Sequence, residues 1–341
     1  MLRIMLPADS RRPRESETGS PAPPRREEGA ILLLVIWILT LLSVVVLSWA
    51  QEWRTEIRLA ANFRDDRQCH HLAEAGIYYA LAKLTASKLA EQQTQSAQLQ
   101  GTMPAPDPWN GDQQRHLLGL PGGQVEVRVA DEGGKINLNK ADPRILTSLF
   151  TVLGFSTLKV PVMVDSILDW RSADPQSHPF GAKNGYYLSL DSPYPAKNGM
   201  FDTVEELAWV RGFADGVQPS SLAAYLTVQD LRPPQINVNT APQEVLLALG
   251  LPLELVQTLI QERQVAPLGS QGVMPQLTGN PQLQQLTTSI TTKSSSFFSI
   301  LATGMINNKE GARHTIKAVV QMDIRKAVPW KLLYWADDYP G

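Results

Sequence analysis

Cysteine is almost absent from this chain: among 341 residues there is one, Cys69. No disulfide can form within the chain, and no Cys pair is available to a zinc ribbon or a redox motif. Histidine is scarce too. The five (His70, His71, His116, His178 and His314) include no His-Glu-x-x-His spacing, so the sequence predicts no zinc site. There is no Gly-x-Ser-x-Gly elbow and no Gly-rich phosphate loop ending in Lys, which removes common hydrolase and nucleotide-binding signatures. Nor does one sign of charge dominate. The net charge of −2 carries no basic excess of the kind that nucleic acid attracts. With 43% apolar and 19% charged residues the composition is that of a folded chain rather than a disordered one.

What the chain does have is one long apolar run. From Ala30 to Ala50 no residue is charged. As a helix rising about 1.5 Å per residue, the run is roughly 30 Å long, the thickness of a bilayer's hydrocarbon core. Lipid offers no partner to a free N–H or C=O, so the segment is predicted to be helical. Trp49 and Trp53 fall where an aromatic belt lies. The run is too long for the apolar core of a cleaved secretory signal. Before it, residues 1–24 are rich in Arg, Ser, Pro and Glu and read as a disordered leader. After it, residues 51–90 hold no Pro and one Gly, Gly76. Trp53, Ile57, Ala60, Ala61, Leu72, Ala75, Tyr79 and Ala82 recur there at helical spacing, predicting one helix from Ala30 to about Leu89.

The junction Glu28-Gly29-Ala30, with Arg25 and Arg26 before it, resembles the cleavage site of type IV pilins and pseudopilins. That resemblance implies a leader cut after Gly29 by a prepilin peptidase and N-methylation of Ala30. Leu72-Ala73-Glu74-Ala75-Gly76-Ile77 is similar to a segment that pseudopilins carry at this distance from the anchor. Most family members have a Glu at the fifth residue after the cut, where it pairs with a neighbour's free amine. Here that position is Leu34.

Further along, residues 91–123 are Gln-, Pro- and Gly-rich and read as a loop. Val125, Val127 and Val129 alternate with Glu126 and Arg128 as in a strand. Ile136-Asn137-Leu138-Asn139-Lys140-Ala141 then returns one hundred positions later as Ile236-Asn237-Val238-Asn239-Thr240-Ala241. Each copy leads into an apolar helix that ends near a Gly, Gly154 or Gly250. A third helix is predicted from Asp202 or Thr203, with Glu205 and Glu206 in its first turn. Residues 262–295 read as a long loop. Phe297 to Ile306 and Thr315 to Ile324 read as strands joined by a turn at Asn307–Gly311, with Ile316, Ala318, Val320, Met322 and Ile324 on one face. Residues 124–139 are predicted to pair with them in one antiparallel sheet.

The repeated helices resemble helix-hairpin-helix modules, which grip a phosphate with exposed N–H groups and nearby Lys or Arg. Here Gly154-Phe155-Ser156, Gly212-Phe213-Ala214 and Gly250-Leu251-Pro252 lack the second hairpin glycine, and Pro252 lacks an N–H. Acidic residues also outnumber basic ones from Lys140 to Gln235. The helices therefore read as a packing scaffold. An anchored DNA-binding protein of a competence or type IV pilus system is the alternative reading.

Asp165 to Asp174 and Gly181 to Tyr187, in this order between the two copies, are similar to the minor pseudopilin K family of type II secretion systems. The resemblance covers roughly residues 25–325. It implies an α+β pseudopilin fold: a long N-terminal transmembrane helix on a small antiparallel sheet, with a large inserted helical domain. It divides the chain into a leader (1–29), an anchor (30–50), the periplasmic part of the helix (51–90), loop and first strands (91–139), inserted helical domain (140–235), the rest of the head (236–325) and a tail (326–341). It further implies no catalysis, a single-pass place in the inner membrane with the head in the periplasm, and a role at the tip of the pseudopilus. The implied partners are minor pseudopilins of the I and J kind, the prepilin peptidase and the inner-membrane assembly platform. Calcium is the one ligand it suggests, with Asp169 and Asp174 as candidate oxygen ligands. Arg171, Ser172 and Lys183 stand where acidic residues would help to hold it.

Overall fold

The computed structural model describes residues 27–97, 109, 111–213, 218–281, 283–306 and 311–340. In chain order the elements are α1 (Glu27–Ala97), β1 (Asp112–Leu120), β2 (Gly123–Asp131), β3 (Ile136–Asn137), α2 (Pro143–Val152), α3 (Lys159–Arg171), α4 (Asn184–Tyr187), α5 (Pro219–Leu222), β4 (Leu226–Thr227), β5 (Ile236–Asn237), α6 (Gln243–Ala248), α7 (Leu253–Val265), α8 (Ser270–Thr278), β6 (Ile290–Thr291), β7 (Phe297–Met305), β8 (Arg313–Met322) and β9 (Trp330–Ala336). The chain divides into two units, Met1–Asn62 and Phe63–Gly341. Most of the leader, the Asn307–Glu310 part of the turn, and Ala214 lie outside the described residues.

In the first unit the described residues belong to α1, and from Ile31 to Leu47 their large apolar side chains are exposed. The second unit holds two hydrophobic cores. One forms where α1 lies on a five-stranded antiparallel sheet of order β1-β2-β7-β8-β9. Period-two alternation points Val125, Val127 and Val129 of β2, Phe298, Ile300 and Ala302 of β7, and Ile316, Ala318, Val320 and Met322 of β8 at the helix. The helix answers with Ala73, Ile77, Ala80, Leu81 and Leu84. Small residues let the two backbones come close. A Cβ on Gly304 would stand 2.0 Å from the Cys69 carbonyl oxygen and 2.8 Å from the Ala73 nitrogen. A Cβ on Gly76 would meet Val125 Cγ2 at 2.7 Å.

The buried stripe differs in phase from the predicted one. Leu72 is buried, but Ala75, Tyr79 and Ala82 are exposed. The true stripe is Cys69, Leu72, Ala73, Gly76, Ile77, Ala80, Leu81 and Leu84, because the sheet packs on the small residues. Tyr79 instead meets Trp109 edge-on, with ring centroids 5.7 Å apart.

Three further expectations are corrected. The 91–123 loop contains the edge strand β1, and the 326–341 tail contains the opposite edge strand β9. Residues 136–139 do not join the main sheet: β3 pairs in parallel with β4, as β5 pairs with β6. Residues 262–295 are not a loop throughout, for the end of α7, α8, a 3-10 turn at Gln284–Thr288 and β6 lie there.

The second core is helical and runs from Ile136 to Ile290, past the expected boundary at 235. Two polar links tie its chain segments to the sheet. The buried Asp131, at the end of β2, accepts hydrogen bonds from the Gly133 N–H (2.8 Å), Asn237 Nδ2 (2.8 Å) and Thr240 Oγ1 (3.1 Å). Such a carboxylate is tolerated out of water because donors surround it. At the second link, Lys317 Nζ and the Tyr339 hydroxyl both donate to Glu205 Oε1, at 2.6 and 2.8 Å. Burial raises the Glu205 pKa, but the Lys317 charge and these donors outweigh it and hold the carboxyl below the ordinary value. Glu205 belongs to a 3-10 turn, Val204–Trp209, rather than the α-helix predicted there; Thr203 is its N-cap, and Glu206 Oε1 accepts the Thr203 N–H at 3.1 Å.

Gly304→Ala is expected to cost about 1–3 kcal/mol or more, since backbone rather than a movable side chain blocks the methyl. Gly76→Ala should cost less, because its blockers are side chains and Ala gains about 1 kcal/mol of helix propensity. Urea unfolding of both variants, followed by circular dichroism, measures the difference.

Candidate functional site

Three places carry the residues singled out in the sequence: the anchor, the repeated motif and the loop after α3.

In the anchor, Gly29 and Ala30 lie in α1 and are exposed, and a Cβ on Gly29 would meet nothing within 4 Å. Leu34 is 59% exposed, as part of an apolar surface that continues on every side of the helix. Such a surface needs lipid or other apolar helices around it. Two hydroxyls in the run are satisfied within the helix: Thr40 Oγ1 donates to the Trp37 carbonyl at 2.8 Å and Ser43 Oγ to the Leu39 carbonyl at 2.7 Å. The helix Gly29–Glu91 is long and apolar enough to cross a membrane.

The repeated motif proves to be a structural clasp built twice. In the first copy Asn137 Oδ1 accepts the Asn139 N–H at 2.9 Å, forming a tight turn. Asn139 then donates from Nδ2 to the Phe201 carbonyl (2.9 Å) and accepts the Phe201 N–H at Oδ1 (2.7 Å). In the second copy Asn237 Oδ1 accepts the Asn239 N–H at 3.1 Å, and Asn239 pairs with Leu268 in the same way, at 3.1 and 2.7 Å. An arginine completes each clasp. Arg171, the last residue of α3, donates to the carbonyls of Leu138 (2.6 Å) and Ala141 (2.9 Å). Arg263, in the last turn of α7, donates to those of Val238 and Ala241, both at 2.7 Å. Burial lowers the pKa of both guanidiniums, and both remain cations. Sequence reasoning missed this role; the signal was an Arg near the end of the second helix after each motif.

The clasp leaves little for a phosphate. Besides the two arginines, Lys140 is paired with Asp230, Lys197 reaches Asp202 and Glu206, and Arg211 donates to the Gly181 carbonyl. The hairpin glycines Gly154, Gly212 and Gly250 all have positive φ (82°, 93° and 94°), so they serve chain reversal.

After α3, the structure does not gather a calcium site. Asp169 is fully buried and accepts the His178 N–H (3.1 Å) and His178 Nδ1 (2.7 Å) at Oδ1. Asp174 is exposed and caps the Gln176 N–H at 2.9 Å. Lys183 Nζ donates to the carbonyls of Asp169 and Ser172, both at 2.6 Å. An ammonium thus holds oxygens that a hard cation would require, and the residues present do not fit calcium.

Family and structure comparisons agree with this architecture. The family model described as type II secretion system (T2SS), protein K matches residues 127–229 in its first-domain form and residues 236–293 in its second, one copy of the motif in each. The type II secretion system protein K of Pseudomonas aeruginosa is 27% identical over 243 residues, 66% of this chain and 68% of that protein. That of Aeromonas hydrophila is 24% identical over 258 residues, 68% of this chain and 73% of that protein. Among solved structures, a chain of the GspK-GspI-GspJ complex from the enterotoxigenic Escherichia coli type 2 secretion system has the same fold. Its TM-score is 0.56 at 17% identity, over 84% of this chain and 100% of that one.

Arg263→Met should destabilise the helical core by about 1.5–3 kcal/mol, because two carbonyls lose a charged donor. Arg232→Met, at a guanidinium 82% exposed beside Asp230, should stay within about 0.5 kcal/mol of the parent. Thermal unfolding of the two variants side by side reads the contrast.

Proposed function

The chain belongs to the type II secretion system protein K family, and from that premise we propose that it is a minor pseudopilin that caps the pseudopilus and starts its assembly. The observation that carries this reading is α1. Its N-terminal part presents an uncharged apolar surface, while its residues from Cys69 to Leu84 are built into the core of the head. A subunit of this kind is held in the inner membrane by its helix, with the head on the periplasmic side, and can be withdrawn into a filament with that helix intact.

Two features support the tip rather than the shaft. Leu34 stands where a shaft subunit carries the carboxylate that pairs with a neighbour's amine. A buried carboxylate without that partner would be costly in lipid, so a subunit with nothing above it does better with Leu. The second is bulk: a helical core from Ile136 to Ile290, set between strands of the sheet, suits an end position better than a closely repeated one. Partners of the I and J kind would pack their anchors against this one, the prepilin peptidase would cut after Gly29 and methylate Ala30, and the assembly platform would receive the anchored subunit. The role is structural, without a catalytic step.

The test is the N-terminus of the mature protein, read by mass spectrometry of membranes with and without the peptidase. The proposal expects a chain beginning at N-methylated Ala30, lost without the peptidase and in Gly29→Ala. A chain that keeps its leader in peptidase-positive cells would overturn the pilin-type processing.

A further inference from the structure

The approach of β7 to α1 has a second effect, beside the crossing. Gly304 pairs in register with His314 of β8, so the contact that seats Gly304 on Cys69 and Ala73 also brings His314 against His70 of α1. Asp337, just beyond β9, reaches the same point. His314 Nε2 lies 3.4 Å from His70 Nδ1 and 2.9 Å from Asp337 Oδ1, and His70 Nδ1 lies 3.1 Å from the same oxygen. Three residues far apart in sequence therefore turn three donor atoms toward one spot.

We propose that His70, His314 and Asp337 form a zinc site that fastens the C-terminal segment and β8 to α1. Zinc bonds of about 2.0–2.1 Å in a tetrahedron set their ligand atoms about 3.3 Å apart, which the three observed separations approach. The two imidazole planes stand at 81° and do not stack. Outer contacts also suit a metal. Asp66 Oδ1 lies 3.0 Å from His314 Nδ1. A proton on Nδ1, donated to Asp66, leaves the lone pair on Nε2 facing the site, the arrangement in which a carboxylate orients a zinc-bound histidine. Two imidazoles with one carboxylate favour zinc over calcium or magnesium, which prefer oxygen alone. His314 is nearly buried, while the Asp337 side chain is 53% exposed, so an ion can enter from solvent and a water can complete the tetrahedron. Cys69 takes no part; its Sγ faces the Ala312 carbonyl at 3.4 Å. The sequence concealed the site because its ligands come from a helix, a distant strand and the chain end.

A second cluster, His70, His71 and Glu74, lies within one stretch of α1, and its His71 side chain is 71% exposed. It lacks a backing carboxylate of the Asp66 kind among the described contacts and serves as the control.

The experiment uses the untagged full chain in detergent micelles, loaded with zinc alone, dialysed, and assayed for metal content, with cobalt substitution to read the coordination from its visible spectrum. The expected result is one zinc per chain, a tetrahedral cobalt spectrum, and loss of both in Asp337→Ala and His70→Ala while far-ultraviolet dichroism stays unchanged. Asp66→Asn should weaken binding about 10–100-fold. Since His70 belongs to both clusters, the paired His71→Ala, Glu74→Ala variant separates them and should retain the metal. No zinc retained by the parent chain, equal retention by Asp337→Ala, or loss in the His71, Glu74 variant would each overturn the proposal.

Discussion

The contact on which the second unit depends is the passage of β7 across α1 at Gly304. A methyl there would lie 2.0 Å from a backbone oxygen, so helix and strand are in backbone contact. That closeness decides which helical residues are buried: the small ones, Cys69, Ala73, Gly76 and Ala80, occupy the face toward the sheet, while Tyr78 and Tyr79 are left outside. It also sets the sheet. With β7 on the helix, β2 and β8 flank it and β1 and β9 form the edges. The C-terminus is then carried back to Glu205 through Tyr339 and Lys317, and to His70 through Asp337.

The helical core is organised by polar side chains as much as by apolar ones. Each Asn-x-Asn turn exposes carbonyls that would be costly to bury alone. Arg171 and Arg263 satisfy them, and Asn139 and Asn239 bind the neighbouring segments at Phe201 and Leu268. A module that resembles a phosphate grip has its cations turned inward. This is a physical reason why the helix-hairpin-helix shape in this chain serves packing rather than a phosphate grip.

Much of this was legible in the sequence, where signals were local. The uncharged run from Ala30 to Ala50 announces its helix by length alone. The alternation of Val125, Val127 and Val129 announces β2, and the repeated Asn motif announces two equivalent helix pairs. Elements whose stability comes from tertiary contact were not legible. Strand β1 reads Asp-Gln-Gln-Arg-His before its leucines, and β9 mixes Lys with Trp, Leu and Tyr; both are half-exposed edges without clean alternation. The short β3 and β5 look like continuations of the main sheet until their parallel partners, β4 and β6, are seen. The helix stripe differs in phase because Ala75, Tyr79 and Ala82 keep the same helical spacing as the residues that pack, and only the contact with the sheet decides between the two faces. At the loop after α3, the family resemblance suggests calcium, with Asp169 and Asp174 as its ligands. Three-dimensional contact assigns Asp169 to His178, and Lys183 to carbonyls.

The anchor and the head give the chain two surfaces that remain to be covered in an assembly, the apolar face of α1 and the exposed Leu332, Leu333 and Trp335 of the edge strand β9. As proposed above, minor pseudopilins of the I and J kind pack their anchors against the first of these. The most direct measurement is to express the full chain with the I- and J-type pseudopilins of its own system, extract the membranes in mild detergent, and determine the composition of what co-purifies by native mass spectrometry. The expected result is one complex in which this chain co-purifies with both proteins. A chain that purifies free of both, or that forms a filament of its own repeated copies, would contradict it.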